Sequence, residues 1–365
     1  MRVLFLTNIP SPYRVNFFNC LGELCDLTVL FERESSSERD ESWKNFSADK
    51  FRYRVLKGIK LGVAEAFCPG VKKHLKKNDY DAVIISNYTT PTGWLALRYL
   101  KKKKIPFFIE GDGGIAKSGK GVKERLKRRL LRGATGYFST GKEHDNYYIT
   151  YGVPEDKIYR YPFTSLFETD ILKEPIREET KIKLKEDLGI EEEKMILAVG
   201  QFIHRKGFDV LLSSAKALSK DIGVYFVGGK PTEEYVQFCE NNGLNNIHFI
   251  GFKKTAELKK YYCAADVFVH PTREDIWGLV INEAMAQGLP VVTTDKCVAG
   301  LELVKNGKNG YLVPVEDEQA LTQAIIKVLG DDRITMARES LKEIQGYTFE
   351  EMAKRHIEVL SQCVK

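Results

Sequence analysis

VFVHPTREDIWGLVINEAMAQGLPVVTT, residues 267–294, contains two β-rich runs on either side of an amphipathic segment. The runs Val267–His270 and Val291–Thr294 are short, apolar and rich in β-branched residues, which is typical of buried strands. Between them, apolar residues at helical spacing predict a helix over Gly278–Ala286. Two strands joined by a helix form a parallel βαβ unit, so this stretch predicts an α/β fold.

The same alternation extends along the whole chain of 365 residues. A length of this size, at about 100–200 residues per domain, predicts two domains. We place the first domain at 1–172, the second at 173–345, and a terminal helix at 346–365 that can pack on either domain. Pro162 and Pro175 are expected to bracket the join.

Strands and helices are predicted in both domains from short β-branched runs and from 3.6-residue periodicity. The predicted strands are Val3–Thr7, Leu27–Phe31, Ala82–Ser86, Phe107–Glu110, Gly136–Ser139, Met195–Gly200, Val224–Val227, Ile247–Ile250, Val267–His270, Val291–Thr294 and Gly310–Val313. The predicted helices are Tyr13–Leu24, Val71–Lys77, Gly93–Lys102, Lys120–Arg132, Phe208–Leu218, Glu233–Asn241, Ala256–Cys263, Gly278–Ala286, Asp317–Leu329 and Phe349–Cys363.

The composition excludes several classes of protein. No run of 18 apolar residues occurs, so no transmembrane helix is expected. The apolar run at Met1–Thr7 is too short for a signal peptide and is interpreted as a first strand. Seven scattered cysteines without a Cys-x-x-Cys pair predict reduced thiols rather than disulfides or a zinc site, and therefore a cytoplasmic protein.

The charge is distributed unevenly along the chain. Residues 1–172 contain 30 Lys and Arg against 20 Asp and Glu, for a net charge of +10, whereas residues 173–365 carry −4. Much of the excess lies in the segment Lys120–Arg132, a basic amphipathic helix that can bind an anionic membrane surface. The alternative is the solvated face of a helix that packs on the core. Nucleic acid is not an expected partner because no nucleic-acid motif accompanies the basic residues.

A candidate ligand site lies where the helix over Gly278–Ala286 begins. The free N–H groups of Gly278, Leu279 and Val280 form an anion site that the helix dipole reinforces. Asp275 and Glu283 are eight residues apart, about two helical turns, so their carboxylates can accept hydrogen bonds from the hydroxyls of a sugar or a ribose. The alternative is an acidic cap followed by an ordinary amphipathic helix.

Three other groups of residues are candidates because they follow predicted strands, where open α/β sheets bind ligands. Arg205 and Lys206 beside Gly207 suit a diphosphate, although a solvated basic turn has the same pattern. Glu110 and Asp112 belong to a glycine-rich loop that can instead be a turn with an Asx cap. Arg14, near the first strand, can contact a ligand or can be an ordinary surface arginine.

The run Asp275–Ala286 resembles the E-x7-E block of retaining GT-B glycosyltransferases of the "group 1", or family four, type. Asp275 stands at the first acidic position, where Glu274 is a substitute, Trp277 at the aromatic position, and Glu283 at the second acidic position. Residues 198–209 resemble the family's Gly-Arg…Lys-Gly loop, with Gly200 and Lys206 retained and Gln201 in place of the arginine. The segment containing Gly251 and Phe252 resembles the one whose main chain meets the nucleotide base, and Asp112 stands where many relatives have a histidine.

The resemblance implies a GT-B fold of two facing Rossmann-like domains with mostly parallel sheets. It implies that a hexosyl group is transferred, with retention, from a nucleotide sugar (a UDP-sugar is favoured) to an acceptor hydroxyl. The first domain would bind a sugar or lipid-linked glycan acceptor, and the second the donor. The expected setting is cell-surface polysaccharide or glycolipid biosynthesis, on the cytoplasmic side and peripheral to the membrane.

The residue roles also follow from the resemblance. Glu283 would bind the ribose, Asp275 the donor sugar, and Lys206 the leaving diphosphate with Arg205 in support, while Asp112 would contact the donor sugar or orient the acceptor. Neither a metal nor a cofactor is expected. A nucleotide-sugar-binding protein without activity is an alternative, motivated by Gln201 and Asp275, and a GT-B nucleotide-sugar epimerase is another.

Overall fold

The computed structural model describes residues 1–35, 46–116, 121–330 and 333–364. The chain forms two compact units, one made of Met1–Thr164 with Tyr347–Lys365 and one made of Ser165–Gly346. Within the described residues, no helix combines the length and the apolar character needed to cross a bilayer.

A seven-stranded sheet of parallel strands forms the centre of the first unit. The strands of this unit are β1 Arg2–Thr7, β2 Asp26–Phe31, β3 Arg52–Val55, β4 Ile59–Leu61, β5 Glu65–Phe67, β6 Ala82–Ile85, β7 Phe108–Glu110, β8 Gly136–Ser139 and β9 Ile158–Arg160. Their order in the sheet is β3-β2-β1-β6-β7-β8-β9. Strands β4 and β5 form a separate antiparallel hairpin. The central strands β1 and β6 are buried throughout their apolar residues, as parallel strands covered on both faces require.

Five helices belong to the first unit as far as it is described: α1 Pro12–Leu24, α2 Pro91–Lys103, α3 Val122–Leu131, α4 Lys142–Thr150 and α13 Phe349–Cys363. Helix α13 packs against α1, so the two ends of the chain meet in one core. The Thr348 side chain caps α13 by accepting from the Glu351 N–H, and Glu350 and Glu351 complement the dipole of its first turn.

The second unit contains a six-stranded parallel sheet. Its strands are β10 Lys194–Gly200, β11 Ile222–Gly228, β12 Ile247–Ile250, β13 Val267–His270, β14 Val291–Thr294 and β15 Gly310–Val313. Their order in the sheet is β12-β11-β10-β13-β14-β15. Strand order reverses between β10 and β13, as it does between the first and fourth strands of a Rossmann fold. The carboxyl ends of β10 and β13 are therefore the place where such a sheet binds a ligand.

Helices alternate with these strands. Those of the second unit are α5 Glu178–Leu188, α6 Phe208–Ala215, α7 Glu233–Asn241, α8 Thr255–Ala264, α9 Leu279–Ala286, α10 Val298–Leu303, α11 Glu318–Gly330 and α12 Arg333–Ile344. Helix α6 packs on α11 beside the sheet, and α9 packs on α12. Each of β10, β13, α6 and α11 contributes buried side chains to one hydrophobic core.

Several boundaries differ from the predicted ones. The first unit ends at Thr164 rather than at 172, because the segment after it is bonded to the second unit: the Leu172 N–H donates to the Ala286 carbonyl oxygen at 2.9 Å, and Gln287 Nε2 to the Asp170 carbonyl oxygen at 3.0 Å. The helix expected at Val71–Lys77 is a 3₁₀ turn over Pro69–His74, which begins at a proline.

Other differences concern elements that are short or exposed to solvent. The strands β3, β4, β5 and β9 were not predicted, since they are three or four residues long and largely exposed or half-buried. The helix expected over Lys120–Arg132 is observed as Val122–Leu131, and Lys120 lies outside the described residues.

Candidate functional site

Two turns of the second unit meet at the carboxyl ends of β10 and β13. After β10, residues 201–206 form a loop that ends in a 3₁₀ turn over His204–Lys206. Gly207 follows with φ +65°, and a Cβ there would lie 2.1 Å from the Pro271 carbonyl oxygen. Only glycine permits this close approach, which brings Lys206 beside the loop that follows β13.

Hydrogen bonds hold these two turns together. The Arg205 carbonyl oxygen accepts from the Arg273 N–H and from Thr272 Oγ1, each at 2.8 Å. Arg205 Nη1 donates to the Glu274 carbonyl oxygen at 2.8 Å. One backbone and two side-chain hydrogen bonds thus hold the basic turn against the acidic loop.

Asp275 is the centre of the resulting cluster. Its Oδ2 atom accepts from Lys206 Nζ at 2.7 Å and from His270 Nε2 at 3.2 Å, and Arg205 Nη1 lies 3.5 Å away. Burial alone would raise the pKa of Asp275, but the bond from His270 and the charge of Lys206 hold that pKa well below its usual range. The carboxylate is therefore ionised.

His270 is a member of this cluster that the sequence did not point to. It is fully buried at the end of β13, and its Nε2 atom must carry the proton because the partner oxygen belongs to an ionised carboxylate. Burial and the charge of Lys206 lower the pKa of His270, so the ring is neutral. The sequence did contain one signal for His270, because it is a polar residue at the end of an otherwise apolar strand.

Helix α9 begins directly after this cluster. Gly278 has φ +103°, and a Cβ on it would come within 2.9 Å of Cys297 Sγ. The helix runs from Leu279 to Ala286, so the N–H groups of Leu279 and Val280 lie in its first turn. The N–H groups of a first turn have no carbonyl acceptor within the helix. The anion site expected at this helix start stays a prediction; Asp275, which contacts Lys206 and Arg205, lies four residues before Leu279.

Trp277 is part of the core. The ring is buried, and Nε1 donates to Asn282 Oδ1 at 2.9 Å. The sequence analysis predicted that Trp277 binds the donor. In the structure its ring is buried in the core, next to the start of α9. Its contribution to a site is therefore to hold the backbone at Gly278.

Glu283 has a separate set of partners. Its carboxylate accepts from Tyr262 OH at 3.0 Å and from Ser165 Oγ at 3.1 Å. Burial raises the pKa of Glu283 despite these two hydrogen bonds. Asp275 and Glu283 therefore differ: one is bound to a cation, and the other is held by two hydroxyl groups that sequence reasoning had not identified.

The remaining residues predicted for the second unit lie away from this cluster or near its edge. Gly200 ends β10, and Gln201 is exposed in the loop after it. Gly251 and Phe252 follow β12, and Phe252 is 65% exposed. Glu274 contributes its backbone carbonyl to Arg205, while the carboxylate that meets Lys206 is that of Asp275.

A second cluster lies in the first unit, and it contains the predicted Arg14, Glu110 and Asp112. Arg14 is buried rather than on the surface; its Nη1 atom donates to Glu110 and its Nη2 atom to Asp112. Tyr13 OH donates to the other oxygen of Asp112 at 2.8 Å. Glu110 is fully buried, whereas the side chain of Asp112 is 29% exposed and is the carboxylate that can meet a ligand.

His356 of α13 completes this second cluster. Its Nε2 atom lies 2.9 Å from Glu110 Oε2, across 246 positions of sequence. Burial would raise the pKa of Glu110, but Arg14 and His356 lower it to about 2. Tyr13 could have been identified from the sequence because it is next to Arg14. No pattern in the sequence pointed to His356.

Among residues 1–35, 46–116, 121–330 and 333–364, no three histidine, cysteine or acidic side chains are arranged to hold a metal ion. The chemistry that the described side chains offer is that of cations, carboxylates, hydroxyls and helix N–H groups. These groups suit an anionic ligand with hydroxyl substituents.

Comparison with known proteins points to the same region. Residues 180–345 match the family described as glycosyl transferases group 1. An uncharacterized glycosyltransferase of Methanocaldococcus jannaschii is 31% identical over 219 residues, which are 57% of this chain and 55% of the relative. A D-inositol 3-phosphate glycosyltransferase of Corynebacterium urealyticum is 35% identical over 184 residues, or 46% and 42%. The chain thus spans about half the length of the curated relatives that it matches.

Solved structures extend the similarity of fold over both units. The Anabaena protein HepE, in complex with UDP and glucose, is similar with a TM-score of 0.74 at 18% identity, over 99% of each chain. This similarity and the two parallel Rossmann-like sheets confirm the predicted α/β fold of GT-B type. At this level of identity the comparison is one of fold.

Proposed function

Because residues 180–345 match the family described as glycosyl transferases group 1, we propose that the protein is a glycosyltransferase that uses a nucleotide sugar. It transfers a hexosyl group from a nucleoside-diphosphate sugar, a UDP-sugar first among them, to an acceptor hydroxyl with retention and without a metal. The observation that carries the proposal is the cluster of Lys206, Arg205 and Asp275 beside the first turn of α9.

The charges of this cluster suit a diphosphate. Two cations, Lys206 and Arg205, face one carboxylate, Asp275, so a positive charge is left over for an anion. The N–H groups of the first turn of α9 add the positive end of a helix dipole. In the reaction, these groups stabilise the negative charge that develops on the departing diphosphate. Gln201, in place of the family's arginine, supplies no charge, and Arg205 takes that role.

We assign the recognition of the donor's hydroxyl groups to Glu283 and Asp275. Glu283 binds the ribose hydroxyls and Asp275 the donor sugar, in line with the family resemblance. Asp112, the partly exposed acid of the first unit, orients the acceptor hydroxyl or contacts the donor sugar. The acceptor is a sugar or a lipid-linked glycan of cell-surface polysaccharide or glycolipid biosynthesis.

The test is calorimetric titration of the purified protein with UDP and with UDP-glucose, followed by mass-spectrometric screening of nucleotide sugars with lipid-linked acceptors. Lys206→Met is expected to weaken UDP binding about 10- to 100-fold, the value of one charge-assisted hydrogen bond. Lys220→Met, at an exposed lysine of the same unit, is the matched control. Unchanged UDP affinity in Lys206→Met would contradict the assignment.

The same screen separates the alternatives. Binding of a nucleotide sugar without product in the presence of every acceptor would identify a binding protein without activity. Conversion of the nucleotide sugar in the absence of an acceptor would identify an epimerase. Only the appearance of a glycosylated acceptor supports the proposal.

We also propose that the first unit binds an anionic membrane surface where it meets a lipid-linked acceptor. Helix α3 exposes Val122 and Leu126, with Val122 77% exposed, among basic residues. A groove of about 740 Å³ between α2 and α3 is lined by apolar and basic side chains together: Trp94, Leu97, Arg98, Lys101, Leu126, Leu130, Arg129 and Arg132. Apolar side chains that insert between lipids and cations that meet head groups favour this surface over the alternative of a merely solvated helix face.

Sedimentation with vesicles tests this surface. Binding to vesicles that contain phosphatidylglycerol is expected, with a decrease as salt is raised, and no binding to pure phosphatidylcholine. The double variant Arg128→Gln, Arg129→Gln is expected to bind these vesicles with a free energy about 2 kcal/mol less favourable. Each basic residue near the membrane surface contributes about 1 kcal/mol to binding. Equal sedimentation with both kinds of vesicle would contradict the proposal.

A further inference from the structure

His356 and Glu110 form a buried contact whose hydrogen bonds determine where a proton lies. Both side chains are fully buried in the first unit. His356 Nδ1 lies 2.7 Å from the Met352 carbonyl oxygen, one turn earlier on α13. Because a carbonyl oxygen only accepts hydrogen bonds, Nδ1 carries a proton.

The other ring nitrogen faces an acceptor too. Nε2 lies 2.9 Å from Glu110 Oε2. A neutral imidazole that is protonated at Nδ1 would direct the Nε2 lone pair at a carboxylate oxygen, which is repulsive. A second proton must therefore lie between Nε2 and Oε2, either on the histidine or on the acid.

Arg14 decides between these two possibilities. Its guanidinium is always charged and donates to Oε1, the other oxygen of Glu110. A cation bound to one oxygen stabilises the ionised carboxylate, so Glu110 is the anion and His356 holds both protons. The cluster is then balanced, because Arg14 and His356 supply two positive charges against the negative charges of Glu110 and Asp112.

The surroundings of His356 favour this charged state. Its ring stacks on Phe138 with centroids 4.2 Å apart and planes at 16°, a geometry in which the face of an aromatic ring attracts a cation. The titratable or charged groups that face the pair from the neighbouring elements are Arg14 of α1, Asp112 of the loop after β7, Tyr161 after β9 and His144 of α4.

We propose that His356 is held as an imidazolium and acts as a positioning residue, whose proton fixes Glu110 and, through Arg14, the partly exposed carboxylate of Asp112. The assignment of a role in transfer rests on the proposed function, because Asp112 is the group that would meet the acceptor. The protonation state itself does not rest on it. A group on the last helix thus sets the electrostatics of the loop after β7.

Nuclear magnetic resonance of the full-length protein with ¹⁵N-labelled histidine tests the protonation state. At pH 7.5, both ring nitrogens of His356 are expected to show the shifts of protonated nitrogen. His144 is an internal reference: its Nδ1 accepts from the Thr140 N–H, and burial lowers its pKa to about 3, so it should be neutral with one protonated nitrogen. A neutral His356 at this pH would overturn the proposal.

Two variants complete the test. Glu110→Gln removes the carboxylate and is expected to convert His356 to the neutral form protonated at Nδ1 only. His356→Gln identifies the resonances; should it not fold, contacts of the ring protons with Phe138 identify them instead. An unchanged doubly protonated His356 in Glu110→Gln would overturn the role given to Glu110.

Turnover tests the positioning role. His356→Gln is expected to lower kcat about tenfold while the affinity for UDP stays unchanged, because the cluster of the second unit that would bind the donor keeps all its residues. Equal kcat values in the two proteins would refute the positioning role. If no acceptor is glycosylated by either protein, the proposed function fails, while the nitrogen shifts still decide the protonation state.

Discussion

The two charged clusters of the molecule differ in their balance. In the second unit, Lys206 and Arg205 face the single carboxylate of Asp275, and the neutral His270 adds no charge. In the first unit, two acids meet Arg14 and His356, and the charges cancel when His356 is the imidazolium proposed above. An excess of positive charge suits a phosphate-bearing ligand, whereas a balanced cluster suits the orientation of a neutral hydroxyl group. The difference separates a site that attracts its ligand from one that aligns it.

The largest effect is expected when the balanced cluster is broken. Arg14→Ala leaves Glu110 and Asp112 without their shared cation, and the loss of one partner of a buried ion pair costs about 3–5 kcal/mol. Lys206→Met should cost much less stability, because Asp275 keeps His270 and Arg205. Urea unfolding of both variants measures the difference, with the exposed Arg98→Ala as the control. Equal losses in the two variants would contradict the comparison.

A smaller effect is expected in the pH dependence of stability. The pKa of Glu110 is lowered from 4.5 to about 2 on folding, so its ionised form stabilises the protein above pH 4.5, and this contribution is lost as the pH falls through 2. Glu110→Gln should therefore be less stable than wild type at pH 7, by an amount that shrinks as the pH is lowered.

Urea unfolding midpoints between pH 7 and pH 3 check this prediction. Glu155→Gln, at an exposed glutamate of the same unit, is the control and should follow wild type at every pH. A difference between Glu110→Gln and wild type that stays constant down to pH 3 would be inconsistent with a lowered pKa.

The smallest effect is expected at Glu283, which belongs to neither cluster. Because its pKa is raised on folding, its ionisation weakens the folded state at pH values above the usual range of a glutamate. Glu283→Gln should therefore raise the melting temperature at pH 7 by a few degrees, about 1 kcal/mol or less, while it weakens UDP binding. Calorimetric scans and UDP titrations together check this. A lower melting temperature with intact UDP binding would contradict both expectations.

The sequence predicted most of the second unit because its strands are buried apolar runs and its helices have strong periodicity. The helix Glu233–Asn241 was predicted with its observed bounds, and the strands Ile247–Ile250 and Val291–Thr294 likewise. The hairpin of β4 and β5 was missed, since strands of three exposed or mixed residues carry no periodicity to detect.

The candidate residues were identified more completely than their partners were. Asp275 and Lys206 lie in loops or turns after strands, and Glu283 lies within α9, positions that a strand-and-helix pattern locates. Their partners are set by contacts between distant parts of the chain, such as Tyr262 and Ser165 for Glu283. Local patterns contain no information about such contacts, and so His356 could not be assigned to Glu110.

The return of α13 to the first unit has a consequence for biosynthesis. On the ribosome, Arg14, Glu110 and Asp112 emerge long before His356, and the whole of Ser165–Gly346 is made in between. The nascent first unit therefore lacks the histidine that contacts Glu110 until α13 is translated. Folding of the second unit during synthesis does not shorten this wait, because the missing residue follows that unit in the chain.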